Sequence, residues 1–371
     1  MNKSLIYISL FLCCCMACKQ ANQTDEAEAV DNTTVLVEPD TLRYENETHF
    51  QNLQQLTFGG NNAEAYFSFD NQSLCFQSDY SEWGLACDQI FNMSINGYTG
   101  ERPDLISTGK GRTTCSYFMP DGKSILYAST HLGDSVCPET PRFVGGKYVW
   151  AIYEDFDIFV ADLQGNIIKQ LTNEKGYDAE ATVSPDGKKI VFTSTRSGDL
   201  ELYTMDIDGS NVKQITDELG YDGGAFFSPD SKSLVFRASR PKTPEAQKTY
   251  KDLLAQGLVQ PSDMEVFVCD IDGGNLKQIT DLGGANWAPY FHPSGQKIVF
   301  STNHHTQSQG GRVFNIFMTD LNGENLKQIT FDSVFDAFPM FSHDGKKLVF
   351  SSNRFNGGDR STNVFIADWV E

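Results

Sequence analysis

Asp178-Ala-Glu-Ala-Thr-Val-Ser-Pro-Asp-Gly187, Lys188-Lys-Ile-Val-Phe-Thr-Ser194, Glu201-Leu-Tyr-Thr-Met-Asp206 and Val212-Lys-Gln-Ile-Thr216 are four short runs with apolar residues at alternate places. Period-two alternation suits strands that bury one face. Between the first two runs, Pro185 presets φ, Asp186 offers a side-chain acceptor, and Gly187 is free to take φ > 0. Asp206-Ile-Asp208-Gly209 does the same before the last run. The stretch therefore reads as one four-stranded antiparallel sheet.

The pattern recurs. Ser184-Pro-Asp-Gly187 returns as Met119-Pro-Asp-Gly122, Ser228-Pro-Asp-Ser231, His292-Pro-Ser-Gly295 and Ser342-His-Asp-Gly345, with a worn copy at Phe69-Asp-Asn71. The closing Lys-Gln-Ile/Leu-Thr run recurs at 169–172, 213–216, 277–280 and 327–330, with Gln55-Leu-Thr57 as an early relative. A spacing of about 44 to 65 residues is that of a propeller blade with some enlarged loops. Counting inner (a), second (b) and third (c) strands gives six of each, but the chain runs out after the sixth c-strand. The unassigned outer (d) strand near 52–57 is expected to complete the sixth blade and close the ring. The fold class predicted is all-β, a six-bladed β-propeller of four-stranded antiparallel blades.

A net charge of −20 disfavours nucleic acid and anionic lipid surfaces, both of which need a basic face. Residues 1–17 read as a targeting segment, with Lys3 ahead of an apolar stretch too short to span a bilayer. Cys15-Met-Ala-Cys18 resembles a bacterial lipobox, which implies cleavage before Cys18 and lipidation of its thiol. An ordinary secretory signal is the alternative, and either way the mature protein is exported. Residues 18–40 are polar and acidic and read as a flexible tether. Residues 41–371 form the propeller.

The Ser-Pro-Asp-Gly-Lys-Lys-Ile-x-Phe and Asp-x-Asp-Gly-x-Asn-x-x-Gln-Ile-Thr patterns resemble the WD-repeat-like unit of TolB-type β-propellers of the bacterial envelope, over about residues 53–371. The resemblance implies a platform for partners in the periplasm or at the outer membrane. Related propellers cap prolyl-oligopeptidase-type enzymes, but the sequence has no Gly-x-Ser-x-Gly elbow.

Strand direction puts the long b-to-c insertions on one face, the expected binding face. One of them, about 241–262, predicts a helix capped by Thr243, with Pro244 at its first position and Tyr250 and Leu254 turned to the ring. The residue opening each a-strand on that face is Asn62, Thr113, Asp178, Asp222, Asn286 or Asp336. These six are expected to circle the channel mouth, where they could hold a cation or an inserted Lys or Arg side chain, or else cap their own loops. Just after the b-strands stand His131, Arg196, Arg240, His304 (with His305) and Arg354, candidates for contacts on the same face. No spacing of these histidines matches a metal motif, and no cofactor is predicted. The Asp-x-Asp-Gly runs lack the distant Glu of a calcium loop and read as turns. Beyond Cys18, Cys87 and Cys137 lie in insertions of adjacent blades and are expected to pair, leaving Cys75, Cys115 and Cys269 as small core residues.

The functional expectation is a monomeric, lipid-anchored, exported propeller that binds an envelope protein or glycan through its long-loop face and channel mouth. A metal-assisted polysaccharide lyase or hydrolase at the mouth is the alternative.

Overall fold

The structure is a computed structural model that describes residues 41–139 and 141–371. The expected signal segment (1–17), the expected lipidation site Cys18 and the expected tether over 18–40 lie outside the described residues.

Six four-stranded antiparallel sheets follow one another along the chain. Blade 3, the stretch quoted above, runs Asp178–Val183, Lys189–Ser194, Glu201–Asp206 and Lys213–Gln214. Blade 6 takes Asp336–Phe341, Lys347–Ser352 and Asn363–Trp369 from the end of the chain and Phe50–Gln55 from its beginning. The closing strand is antiparallel, with Gln54 opposite Ile366 and Gln55 opposite Phe365. It starts two residues earlier than the sequence suggests, because Phe50 is drawn into the core against Phe350 and Trp369.

Two repeated hydrogen bonds explain the two repeated motifs. In the turn motif, the Ser184 hydroxyl donates to Asp186 at 2.7 Å and accepts the backbone N–H of Lys189 at 2.9 Å. Ser228 and Ser342 repeat this arrangement. In the Ile-Thr motif, the threonine hydroxyl accepts an N–H near the start of the c-strand: Ile158 to Thr172, Leu202 to Thr216, Val266 to Thr280 and Ile316 to Thr330, at 2.8–2.9 Å. Thr57 accepts from Val364 in the same way at 2.9 Å. The early relative is thus a true d-strand end, bonded to a blade whose other strands lie at the far end of the chain.

Five of the six a-strands also bond the blade before them through the backbone N–H of their first residue. Asn62 N–H donates to Thr362 O, Thr113 to Asp88 O, Asp178 to Phe156 O, Asp222 to Leu200 O and Asp336 to Phe314 O, at 2.9–3.1 Å. Stacked aromatics such as Phe76–Phe91, Phe236–Phe267 and Phe350–Phe365 fill the blades. Cys87 and Cys137 are joined in a disulfide with Cα atoms 5.8 Å apart, which ties the insertions of blades 1 and 2.

Candidate ligand-binding cavity

The third residue of every a-strand has a left-handed backbone: Glu64, Cys115, Glu180, Gly224, Ala288 and Phe338, with φ between +45° and +59°. Pairing with the b-strand slips at the same place, as between Ala179 and Thr182, so each inner strand carries a bulge. Five of the six are not glycine, and each of those costs about 1–3 kcal/mol of backbone strain. All six line one cavity of about 1030 Å³.

This corrects the expected ring. Asn62, Thr113, Asp178, Asp222, Asn286 and Asp336 are almost wholly buried, and of these only Thr113 touches the cavity. Their polar groups are used within the ring wall. Asn62 Nδ2 donates to Gly59 O and Thr362 O, Thr113 Oγ1 to Asp88 O, and Asn286 Nδ2 to Met264 O. Asp178, Asp222 and Asp336 pair with Arg196, Arg240 and Arg354.

The second expected set is also turned inward. His131 and His304 bond Ser129 and Thr302 at 2.9 and 3.2 Å and pack on Phe159 and Phe317. His305 bonds Asn315 at 2.9 Å. Arg196, Arg240 and Arg354 lie over Tyr203, Phe267 and Phe365. In five of the six blades such a side chain thus covers a c-strand aromatic, and none of these residues lines the cavity. Burial lowers the basicity of the three histidines. Among the described residues, no group of three or more His, Cys, Asp or Glu is placed to hold a metal ion.

The cavity walls come from insertions that reach each other across blade 3. Trp150–Ala151, from the blade 2 insertion, pairs with Leu258–Val259 from the blade 4 insertion. Behind the latter, the helix Pro244–Leu254 is capped by Thr243 Oγ1, which accepts the Ala246 N–H at 3.2 Å. Tyr250 and Leu253 are its buried residues, and Tyr250 bonds Asp199. Leu254, partly buried, packs with Tyr250 against the cluster of Tyr177, Tyr221 and Trp287, as expected, while Leu253 packs on Val149 and Leu258. The paired insertions carry Trp150 onto an arc of rings lining the cavity. Tyr221, Trp150, Trp287, Phe314, Phe335 and Phe338 follow one another with centroids 6.4, 5.2, 4.3, 5.7 and 6.4 Å apart. A hairpin of Phe143–Val144 and Lys147–Tyr148 adds two exposed rings, Phe143 and Tyr148, 5.8 Å apart.

Three charged groups lie at the base. Arg237 pairs with Glu180 and lies 5.0 Å from the Tyr221 ring centroid and 5.4 Å from that of Trp150. Glu180 also accepts from Tyr221 (2.7 Å), Thr193 (2.8 Å) and the Gly224 N–H (2.9 Å). Burial opposes ionisation of Glu180, but Arg237 and these bonds outweigh it and hold its pKa below the usual value. A side chain at Gly224 would collide with the Arg237 guanidinium, so glycine is required there. Glu64 is different. Its Oε2 is buried with no hydrogen-bond partner among the described residues. Burial, opposed by a hydrogen bond with Cys115 and reinforced by the nearby Glu180 carboxylate, pushes the pKa of Glu64 up to about 7. Cys115, expected in the core, is a half-buried free thiol lining the same cavity. At the edge, Arg112 pairs with Asp88. Arg312 and Arg360 are exposed, with no ion pair or hydrogen bond among the described residues.

Sequence reasoning missed Glu64, Glu180 and Arg237. Their one visible signal is a charge within a strand, on the inner strand for Glu64 and Glu180 and on the second strand for Arg237. Among the described residues, no helix is long and apolar enough to cross a membrane.

The sequence model of the TolB beta propeller domain matches residues 145–257 and 258–361. A TolB-type protein of Agrobacterium tumefaciens is 19% identical with a TM-score of 0.54, covering 84% of this chain and 91% of that one. TolB of Acinetobacter baumannii is 20% identical with a TM-score of 0.53, covering 84% of this chain and 64% of that one. At these identities the likeness is one of fold.

Proposed function

The chain belongs to the TolB β-propeller family, and from that premise we propose that it is an exported binding scaffold, anchored through a lipidated Cys18, that engages an envelope partner through the cavity on its long-loop face. The observation that supports this is the cavity itself. Its volume of about 1030 Å³ lies at the top of the range of ligand pockets, and its lining combines rings with a few convergent charges. Strained backbone at five non-glycine positions around one opening is also typical of working sites. A partner that pairs with arginine and stacks on rings suits this lining, and either a protein segment or a glycan meets that description.

The anchor and the binding face are tested separately. In cells, Cys18→Ser should abolish lipid labelling and release the protein from the membrane fraction. Photo-crosslinkers at Phe143 and Tyr148, both exposed, should capture a discrete envelope component, whereas crosslinkers on the opposite turns at Asp208 and Asn322 should not. Equal capture from both faces would refute the assignment of the binding face, and a membrane-bound Cys18→Ser protein would refute the anchor.

A further inference from the structure

We propose that the cavity binds the end of an anionic oligosaccharide, with sugar rings stacked along the aromatic arc, a hydroxyl presented to Glu64, and carboxylate or sulfate groups held by Arg312 and Arg360. This rests on the binding role proposed for that face and names its ligand class.

Four observations lead to it. First, the wall is ring after ring. From Trp150 through Trp287 and Phe314 to Phe335, successive centroids are 4.3–5.7 Å apart. A pyranose has C–H groups on its faces and hydroxyls at its edge, so it can lie on such rings while its polar groups reach the charged residues. A wholly apolar ligand would leave those residues unpaired at a cost. Second, the Glu64 carboxyl is bonded to Cys115, yet its Oε2 is buried with no donor on it among the described residues. An unpaired buried acceptor penalises ligands without a donor and selects those with one. A sugar hydroxyl can both donate and accept, so it suits the carboxyl in either protonation state. Third, the free charge at the edge has the opposite sign to the chain. In a protein of net charge −20, Arg312 and Arg360 stand at the cavity without ion-pair partners among the described residues. Arginine's planar fork fits carboxylate and sulfate oxygens in pairs. A cationic ligand would meet these two guanidiniums on entering, with Arg237 below. Fourth, the cavity exceeds the need of one monosaccharide. Exposed Phe143 and Tyr148 extend the aromatic surface beyond it, as a chain leaving the cavity would require.

The test is isothermal titration calorimetry of the soluble propeller (residues 41–371 with the native disulfide) against three kinds of probe. These are uronate and sulfated hexasaccharides, neutral hexasaccharides of the same linkages, and a hexaglutamate peptide. At least one anionic sugar should bind roughly tenfold more tightly than its neutral counterpart, and the advantage should shrink at high salt. Arg312→Gln/Arg360→Gln, at exposed positions that leave the fold intact, should remove that advantage while keeping the residual binding. Glu64→Ala should weaken neutral and anionic sugars alike. Trp287→Ala should abolish both, and because Trp287 is packed, its far-ultraviolet spectrum and melting must match the parent for that variant to count. Equal affinity for neutral and anionic sugars, or no binding of any sugar, overturns the proposal. Binding of hexaglutamate alone overturns it too, while leaving the broader binding role of the face in place.

Discussion

Glu47 and Arg354, 307 residues apart, form a two-pronged ion pair with both N···O distances 2.9 Å and neither side chain exposed. Arg354 also reaches Asp336 at 3.2 Å and the Leu42 carbonyl at 3.2 Å. The segment before the closing strand is therefore bound to blade 6 by charge as well as by strand pairing. Glu47→Ala would leave Arg354 buried with half its partners, a change that typically costs about 3–5 kcal/mol. Urea denaturation should show that loss, and a change below about 1 kcal/mol would mean the pair is not closing the ring.

Thr57 carries the last repeated hydroxyl of the ring, and its partner is the Val364 N–H. Thr57→Val keeps the shape and removes the acceptor, at a cost of roughly 1–3 kcal/mol. Amide exchange at Val364 should quicken, while exchange at Leu202, whose acceptor is Thr216, should change little. Equal quickening at both would place the weak point elsewhere.

The Cys87–Cys137 bond closes a loop of 50 residues between insertions that no strand ladder joins. Cys87→Ser/Cys137→Ser should lower stability by about 2–4 kcal/mol. Local hydrogen exchange in the blade 2 insertion should rise more than in the blade sheets. Peptide mapping without reductant should recover the two cysteines together, and recovery of Cys87 as a free thiol would rule the bond out.

Glu201 is buried in the wall, and its pKa is raised to about 8, chiefly by burial, with Asp222 and Asp199 adding to it. A carboxyl whose folded pKa lies above its unfolded one stabilises the fold fully below about pH 4.5. That contribution is lost as pH rises from there through about 8. Glu201→Gln should therefore melt higher than the parent at pH 9, with the advantage fading toward pH 5. An advantage that grew on acidification would reverse the sign and dismiss the argument.

The blade count, the turn chemistry and the wrap-around closure were legible because each depends on short-range pattern. Alternation selects strands, Ser-Pro-Asp-Gly builds its own turn, and a d-strand with no blade of its own must find the blade that lacks one. The candidate site was legible only in its face. The a-strands were read as regular, so their first residues, Asn62 to Asp336, were placed at the opening. The bulge at the third residue hands that place to Glu64, Cys115, Glu180, Gly224, Ala288 and Phe338. Nothing local marks it, since five of those six residues disfavour the conformation they adopt.

By itself, then, the sequence determined six sheets, their order, the disulfide partners and which face carries the long loops. These follow from period, turn residues and counting, all of which act within a few residues or a single repeat. The tertiary structure alone decided that Trp150 and Val259 pair across blade 3, that Arg237 meets Glu180, and that the Glu64 Oε2 is buried without a donor among the described residues. Those contacts depend on how closed blades hold distant insertions together, and the ring's geometry, not local propensity, sets which side chains share the cavity.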